Sequence, residues 1–377
     1  MNRLVLLLSI LLLPLLTINC SFIPQNSEEI AQGSWLHYKQ TFIHEGRVLR
    51  PKNNNDTVSE GQAYGMLRAV LMNDHKTFDK CLVWTEAELS RKQTDGDRLL
   101  AWHYENGKVS DTKAASDADI DYAYSLILAY QKWNEERYLT LANEVLKSVL
   151  DHETSIINEK LYLLPWPKQN NSSNEFVTLN PSYYAPSHFK LFFEVSGDKR
   201  WLELVDTTYY ILGRLLDFSG ELKKGQLIPD WITIDSKGNI SELPGKPVVY
   251  GWDAVRVPLR IAADYYLYGD SRALGVLRLF SAYFEKEYSN ASTGVDTYEN
   301  ALFYSAAYAA TETAGSPVST AILQRLRKCI RKNNEGLYYN DSDDYYINSI
   351  SWLPEYYNTI KATGKLQHAP LRSENMQ

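Results

Sequence analysis

The chain has 377 residues, with 39 Lys and Arg against 46 Asp and Glu and a formal net charge of -7. An acidic chain lacks the basic face that neutralises phosphates, which argues against a nucleic-acid binder. Apolar residues at 44% argue against disorder, and three cysteines without paired C-x-x-C spacing argue against a disulfide framework or a zinc module.

In chain order, the first feature is a targeting segment. After Asn2 and Arg3, the run Leu4–Ile18 is apolar apart from Ser9, Pro14 and Thr17. It is shorter than the roughly 20 residues of a membrane span and fits the apolar region of a secretory signal. Cys20, after Asn19, suggests membrane attachment by lipidation, as in a bacterial lipoprotein. Thr17 and Asn19 depart from that pattern, so plain secretion and an uncleaved N-terminal anchor stay open. Each places the domain outside the cytoplasm. The expected division is a signal at 1–20, a short linker at 21–27, one domain at 28–365 and a polar tail at 366–377. Cys81 and Cys329 are then either a disulfide or two buried thiols.

The domain reads as helical. Apolar residues recur with a period near 3.6, as in Ile120, Ala123, Ile127 and Tyr130. Helices are predicted near 28–43, 59–74, 76–91, 117–134, 136–151, 181–196, 198–215, 259–268, 270–288, 297–313, 316–332 and 343–360. Tight turns join some pairs, and long polar loops at 91–116, 152–180 and 216–252 separate others. Twelve helices with alternating short and long connections suggest an all-α fold, six helical hairpins in a ring: an (α/α)6 toroid.

Loops of such length are usually functional. Three acidic segments sit where loops enter helices: Thr57–Met66 with Glu60, Ala115–Asp121 with Asp117, Asp119 and Asp121, and Tyr250–Pro258 with Asp253 and Arg256. In a ring of hairpins, loops on one rim converge over the central hole. Carboxylates flanked by Trp and Tyr there suggest glycosidic-bond hydrolysis. Plainer readings exist for each. Thr57-x-x-Glu60 and Ser116-x-x-Asp119 have the form of capping boxes. Asp253 and Arg256 fit a local ion pair ahead of Pro258. Asp117 and Asp121 share a helix face and Asp119 points away, which suits a solvated acidic face equally well.

Taken together, these segments resemble glycoside hydrolase family 8. The stretch Ser116–Asp117–Ala118–Asp119 through Ala123, Ser125, Leu126, Ala129 and Trp133 is similar to the family signature, with Tyr122 a departure. Ser59–Glu60–Gly61–Gln62, Asp253–Ala254–Val255–Arg256–Val257–Pro258, Asn180–Pro186 and Pro229–Asp230–Trp231 are also similar, in family order. The resemblance implies the (α/α)6 barrel and inverting hydrolysis of a β-1,4-linked polysaccharide. It implies Glu60 as general acid, Asp253 as general base, Asp117 as the residue that holds and distorts the sugar, and Arg256 as the group orienting that carboxylate.

That assignment makes two demands. Glu60 begins a helix, whose dipole lowers a carboxyl pKa. Burial or an ionised neighbour, with Asp117 and Asp121 as candidates, must therefore raise it. An inverting pair should stand about 6.5–9.5 Å apart. Sugar-stacking faces are expected from Trp102, Tyr183, Tyr184, Trp231 and Trp252, whereas Trp35, Trp84, Trp133, Trp201 and Trp352 suit packing. Asp230 fits either a sugar hydroxyl or a turn. The histidines show no H-x-x-x-H pairing, so no metal site is expected; the acidic loops could bind a cation, although their spacing does not resemble a calcium loop, and no cofactor is expected. Rival readings are an amino-sugar or self-made exopolysaccharide as substrate, a polysaccharide lyase on a similar toroid, and a non-catalytic sugar-binding lipoprotein. Oligomeric state is open.

Overall fold

The structure, a computed structural model, describes residues 26–170, 176–216, 227–289 and 299–363. The expected signal with Cys20 and the polar tail lie outside the described residues.

Among the described residues there are thirteen α-helices: α1 (Ser27–Phe42), α2 (Ser59–Leu71), α3 (His75–Glu88), α4 (Ser116–Trp133), α5 (Glu136–His152), α6 (Pro186–Ser196), α7 (Arg200–Leu216), α8 (Val257–Tyr268), α9 (Ser271–Ser289), α10 (Ala301–Thr313), α11 (Ser319–Lys328), α12 (Tyr345–Ile350) and α13 (Leu353–Thr363). Their burial separates two rings. Every residue of α10 from Ala301 to Thr311 is buried, and α4 is buried on nearly all sides, as helices enclosed by other helices must be. In contrast, α5 buries one stripe, Tyr138, Ala142, Val145, Leu146 and Val149. The inner ring closes on itself: α2 packs on α4, α4 on α6, α6 on α8, α8 on α10, α10 on α13, and α12 returns to α2. Outside it, α3, α5, α7, α9 and α11 each back an inner helix, and α1 backs α12 and α13. The sixth hairpin is thus completed by the two ends of the domain. An axial cavity of about 210 Å³, lined mostly by apolar side chains including Leu67, Leu128 and Leu259, runs below Arg256.

Three predicted helices needed correction. The 181–196 helix starts only at Pro186, after a single 3-10 turn at Pro181–Tyr183. The 316–332 helix stops at Lys328 and gives way to a strand. The 343–360 helix is split at Ser351–Trp352 because Pro354, in the first turn of α13, has no N–H to carry the ladder through.

Short antiparallel strands, absent from the helical periodicity, occupy the loops. They are β1 (Ile43–His44), β2 (Arg47–Val48), β3 (Thr57–Val58), β4 (His103–Glu105), β5 (Lys108–Asp111), β6 (Thr154–Ile157), β7 (Lys160–Leu163), β8 (Phe176–Leu179), β9 (Ile232–Asp235), β10 (Ile240–Glu242), β11 (Ile330–Asn333) and β12 (Gly336–Tyr339). Two sheets position the site. β3 pairs with β4, Val58 opposite His103, and brings the Trp102 carbonyl to the Ser59 N–H at 2.9 Å. β8, β9 and β10 form one sheet in the order β10-β9-β8, with Leu179 opposite Ile232. The loops 152–180 and 216–252, far apart in sequence, are therefore joined. Cys81 and Cys329 are separate, buried thiols.

Candidate active site

In a ring of hairpins the inner helices run parallel, so their N-termini share a rim. Glu60 lies in the first turn of α2 and Asp117 in the first turn of α4. Asp253 precedes the 3-10 turn Ala254–Arg256 that leads straight into α8.

The local sequence fixes each position. Gln62 is fully buried and ties α2 to the β1–β2 hairpin: its Oε1 accepts from Val48 N–H at 2.6 Å, and its Nε2 donates to Gly46 O at 2.7 Å. Gly61 lets Tyr345 approach, since a Cβ there would stand 2.9 Å from the Tyr345 hydroxyl. The capping boxes do not form. Thr57 Oγ1 donates to Val48 O and Ser116 Oγ to Leu164 O, and neither α2 nor α4 has a side-chain cap. Asp230 proves to be a turn former. Its Oδ1 accepts from the N–H groups of Gly251, Asp253 and Ala254 at 2.8–3.2 Å.

The three acidic segments meet at Arg256. Its Nη1 donates to Glu60 Oε2 at 3.0 Å and to Asp117 Oδ2 at 2.8 Å, and its Nη2 to Asp253 Oδ1 at 2.9 Å. Tyr64 and Ser182 complete its shell, at 3.1 and 2.8 Å. The local Asp253–Arg256 ion pair therefore exists, as one spoke of a hub. Oxygens bound to the two terminal nitrogens of one guanidinium lie within roughly 8 Å of each other, so the Glu60 and Asp253 carboxyls share one site.

Burial raises all three carboxyls of the hub. Burial pushes Glu60 up to about 7; Arg256 pulls it down, while the charges of Asp117 and Asp253 add to the rise. Burial therefore outweighs the helix dipole. Asp117 supplies the expected neighbouring charge, joined by Asp253. Burial also raises Asp253; Arg256 opposes, and the Asn180 and Trp231 side chains favour its ionised form. These two arrive from the ends of β8 and β9, so the joined sheet supports the Asp253 position.

Asp121 lies elsewhere, one helical turn below Asp117. It is bound by both terminal nitrogens of Arg260 at 2.9 and 3.0 Å and by His188 at 3.3 Å. Against the desolvation that opposes it, Arg260 and His188 hold its carboxyl well below the usual range. The expected role for Asp121 against the sugar is corrected accordingly: it is an internal ion pair. Tyr184 is corrected likewise, being buried with its hydroxyl bonded to both N–H and C=O of Leu163. Tyr183 and Trp231 lie beside the hub. Arg256 sits 5.3 Å above the Tyr183 ring, and Trp231 meets Tyr183 edge-on at 6.0 Å. Trp102 and Trp252 keep open faces, 37% and 52% exposed. Trp35, Trp201 and Trp352 are buried packing residues, and Trp84 and Trp133 pack partly buried against the core.

Tyr345, which donates to Glu60 Oε1 at 3.1 Å, was missed. It sits 285 residues from its partner, and no local pattern marks it. Among the described residues no group of three or more His, Cys, Asp or Glu is placed to hold a metal, and no helix is long and apolar enough to cross a membrane.

Comparison with known proteins shows the family and the fold. The family model of glycosyl hydrolases family 8 matches residues 15–359, and the chain belongs to that family. It is 30% identical over 267 residues to a beta-glucanase of Niallia circulans, covering 67% of this chain and 63% of the relative. It is 29% identical over 328 residues to endoglucanase A of Acetivibrio thermocellus, covering 83% and 64%. The chain thus spans less than two thirds of the length of these relatives. The endo-beta-1,4-glucanase of Acetobacter xylinum superimposes with a TM-score of 0.71 at 22% identity, covering 89% of this chain and 99% of that one. The endoglucanase of Komagataeibacter sucrofermentans gives 0.70 at 25%, covering 88% and 98%. The (α/α)6 fold is shared with both.

Proposed function

We propose that this chain is an inverting glycoside hydrolase acting on a β-1,4-linked polysaccharide. The observation that carries the reading is the Arg256 hub, which gathers Glu60, Asp117 and Asp253 on one rim, with the Glu60 pKa raised to about 7. Glu60 gives its proton to the leaving glycosidic oxygen. Asp253, ionised, takes a proton from a water on the far face of the sugar as that water attacks the anomeric carbon. Asp117, fixed by Arg256, holds the sugar at the cleavage point. Trp102 and Trp252 supply open faces for sugars on either side. A β-glucan is the leading polymer, because the relatives are named for glucanase activity; a self-made exopolysaccharide is the alternative.

Glu60→Gln and Asp253→Asn should each lower kcat by roughly a hundred- to ten-thousand-fold while polymer binding persists. Proton NMR during cleavage should show the α-anomer first, since inversion at a β-linkage gives α. A β-anomer as first product, or unsaturated ends, would overturn the mechanism.

We also propose that the chain is exported, on the strength of the apolar run ending before Cys20. Cell fractionation with palmitate labelling tests it. Label lost in Cys20→Ala supports lipidation, and a cytoplasmic protein would sink export.

A further inference from the structure

Behind the start of α4, turned away from Arg256, lie two acidic side chains that the mechanism does not use. Asp119 and Glu153 are both completely buried. Asp119 Oδ1 accepts from Leu100 N–H at 2.8 Å. Asp119 Oδ2 and both carboxyl oxygens of Glu153 have no donor. Among the described residues neither side chain forms an ion pair. Arg91, the cation that acts on both, is engaged by Asp95 at 3.1 Å and Asp97 at 3.0 Å. The charges facing the pair are therefore Arg91, Asp97 and, through α4, Asp117.

Two buried anions, with three of their four oxygens lacking a donor, would be strongly unfavourable. One proton removes the conflict, and it belongs on Glu153, because Asp119 keeps the Leu100 N–H as a donor while Glu153 has none. We propose that of these two carboxyls Glu153 is held protonated in the native state, and that the two act as positioning residues that hold Asp117 and Trp102 in place. Burial raises both carboxyls well above the usual range, and the charge of Asp119 adds the largest further push on Glu153.

Backbone bonds connect the pair to the site. Asp119 holds Leu100, two residues before Trp102, whose carbonyl accepts from Ser59 N–H beside Glu60. The Glu153 carbonyl accepts from Leu164 N–H, and the Leu164 and Pro165 carbonyls accept from Ser116 Oγ and N–H beside Asp117. The pair thus joins the loops 91–102 and 153–165 to the first turn of α4.

Glu153→Gln keeps the size and polarity of the neutral acid but cannot ionise. In the unfolded chain Glu153 loses its proton above its ordinary pKa, while the native state retains it, so native stability falls as pH rises. From pH 5 to 8 the wild-type unfolding constant should rise more steeply than that of Glu153→Gln, by up to about tenfold per pH unit. Infrared difference spectra at pH 7, taken in a Glu60→Gln background, should show a protonated carboxyl band that Glu153→Gln removes. For activity, Glu153→Leu should lower kcat about tenfold at little change in KM, and Glu153→Gln should restore most of that loss. Superimposable stability curves together with an unchanged infrared band would overturn the proposal. Should the Leu variant not fold, the Gln variant still decides by stability and infrared. Only the activity arm rests on the hydrolase reading; the proton measurements locate the proton whether or not the chain cleaves β-glycan.

Discussion

Glu60 meets opposing demands with a few named neighbours. As the proposed general acid it must be protonated to act, so kcat/KM should fall as pH rises through about 7. The Tyr345 hydroxyl donates to Glu60 and favours its ionised form. Tyr345→Phe removes that donor, so the alkaline limb of the pH profile should move upward, as measured by initial rates from pH 5 to 9. A shift downward would show that Tyr345 acts otherwise. The raised pKa also bears on stability. Above about 4.5 the unfolded chain loses the Glu60 proton, while the native state keeps it until about 7. Stability is therefore lost across that window as pH rises. Glu60→Gln should then be more stable than the wild type at pH 8, by up to about 3 kcal/mol, as read by urea unfolding at pH 5 and 8. Functional residues held against their preferred charge state commonly show this trade.

At the scale of elements, the proposed base, Asp253, depends on a turn more than on a helix. Asp230 gathers three N–H groups of the 251–254 segment, and a Cβ on Gly251 would stand 2.3 Å from Asp230 Oδ2. Gly251→Ala should displace Asp230, release the turn that aims Asp253, and lower kcat about a hundredfold. Tm should change little, because Gly251 lies outside the helical core. A variant with normal kcat would show that the turn tolerates the movement. The same logic explains the sheet of β8, β9 and β10. Its strands are short, but their pairing delivers Asn180 and Trp231 to one carboxylate.

Closing the ring is a problem for the whole molecule, since its sixth hairpin has no turn. Arg68 on α2 lies at that seam. It is buried, with Nη1 donating to Asn348 O at 3.0 Å and Nη2 to Ser34 Oγ at 2.7 Å. Its guanidinium stands 4.5 Å from the Trp352 ring and 5.1 Å from the Tyr38 ring. Burial depresses it to about 9, and among the described residues no carboxylate offsets this. Arg68→Ala would remove contacts to α1, α12 and the α12–α13 junction together. A loss of about 3–5 kcal/mol is expected by chemical denaturation; a loss under about 1 kcal/mol would show that packing alone closes the ring.

Sequence by itself determined what is local or periodic. The 3.6-residue repeat placed the helices, and the three acidic segments stood out because each lies where a long loop meets a helix. Tertiary structure decided which carboxylates meet. Asp117 and Asp121 share one helix face and look equivalent in sequence, yet Arg256 takes the first and Arg260 the second. Tyr183 and Tyr184 are adjacent, and only burial assigns one to the hub and the other to Leu163. Tyr345, the short sheets and the raised pKa of Glu60 were hidden for the same reason. Each arises from contacts between segments far apart in the chain, and desolvation belongs to the assembled rim rather than to any residue within it.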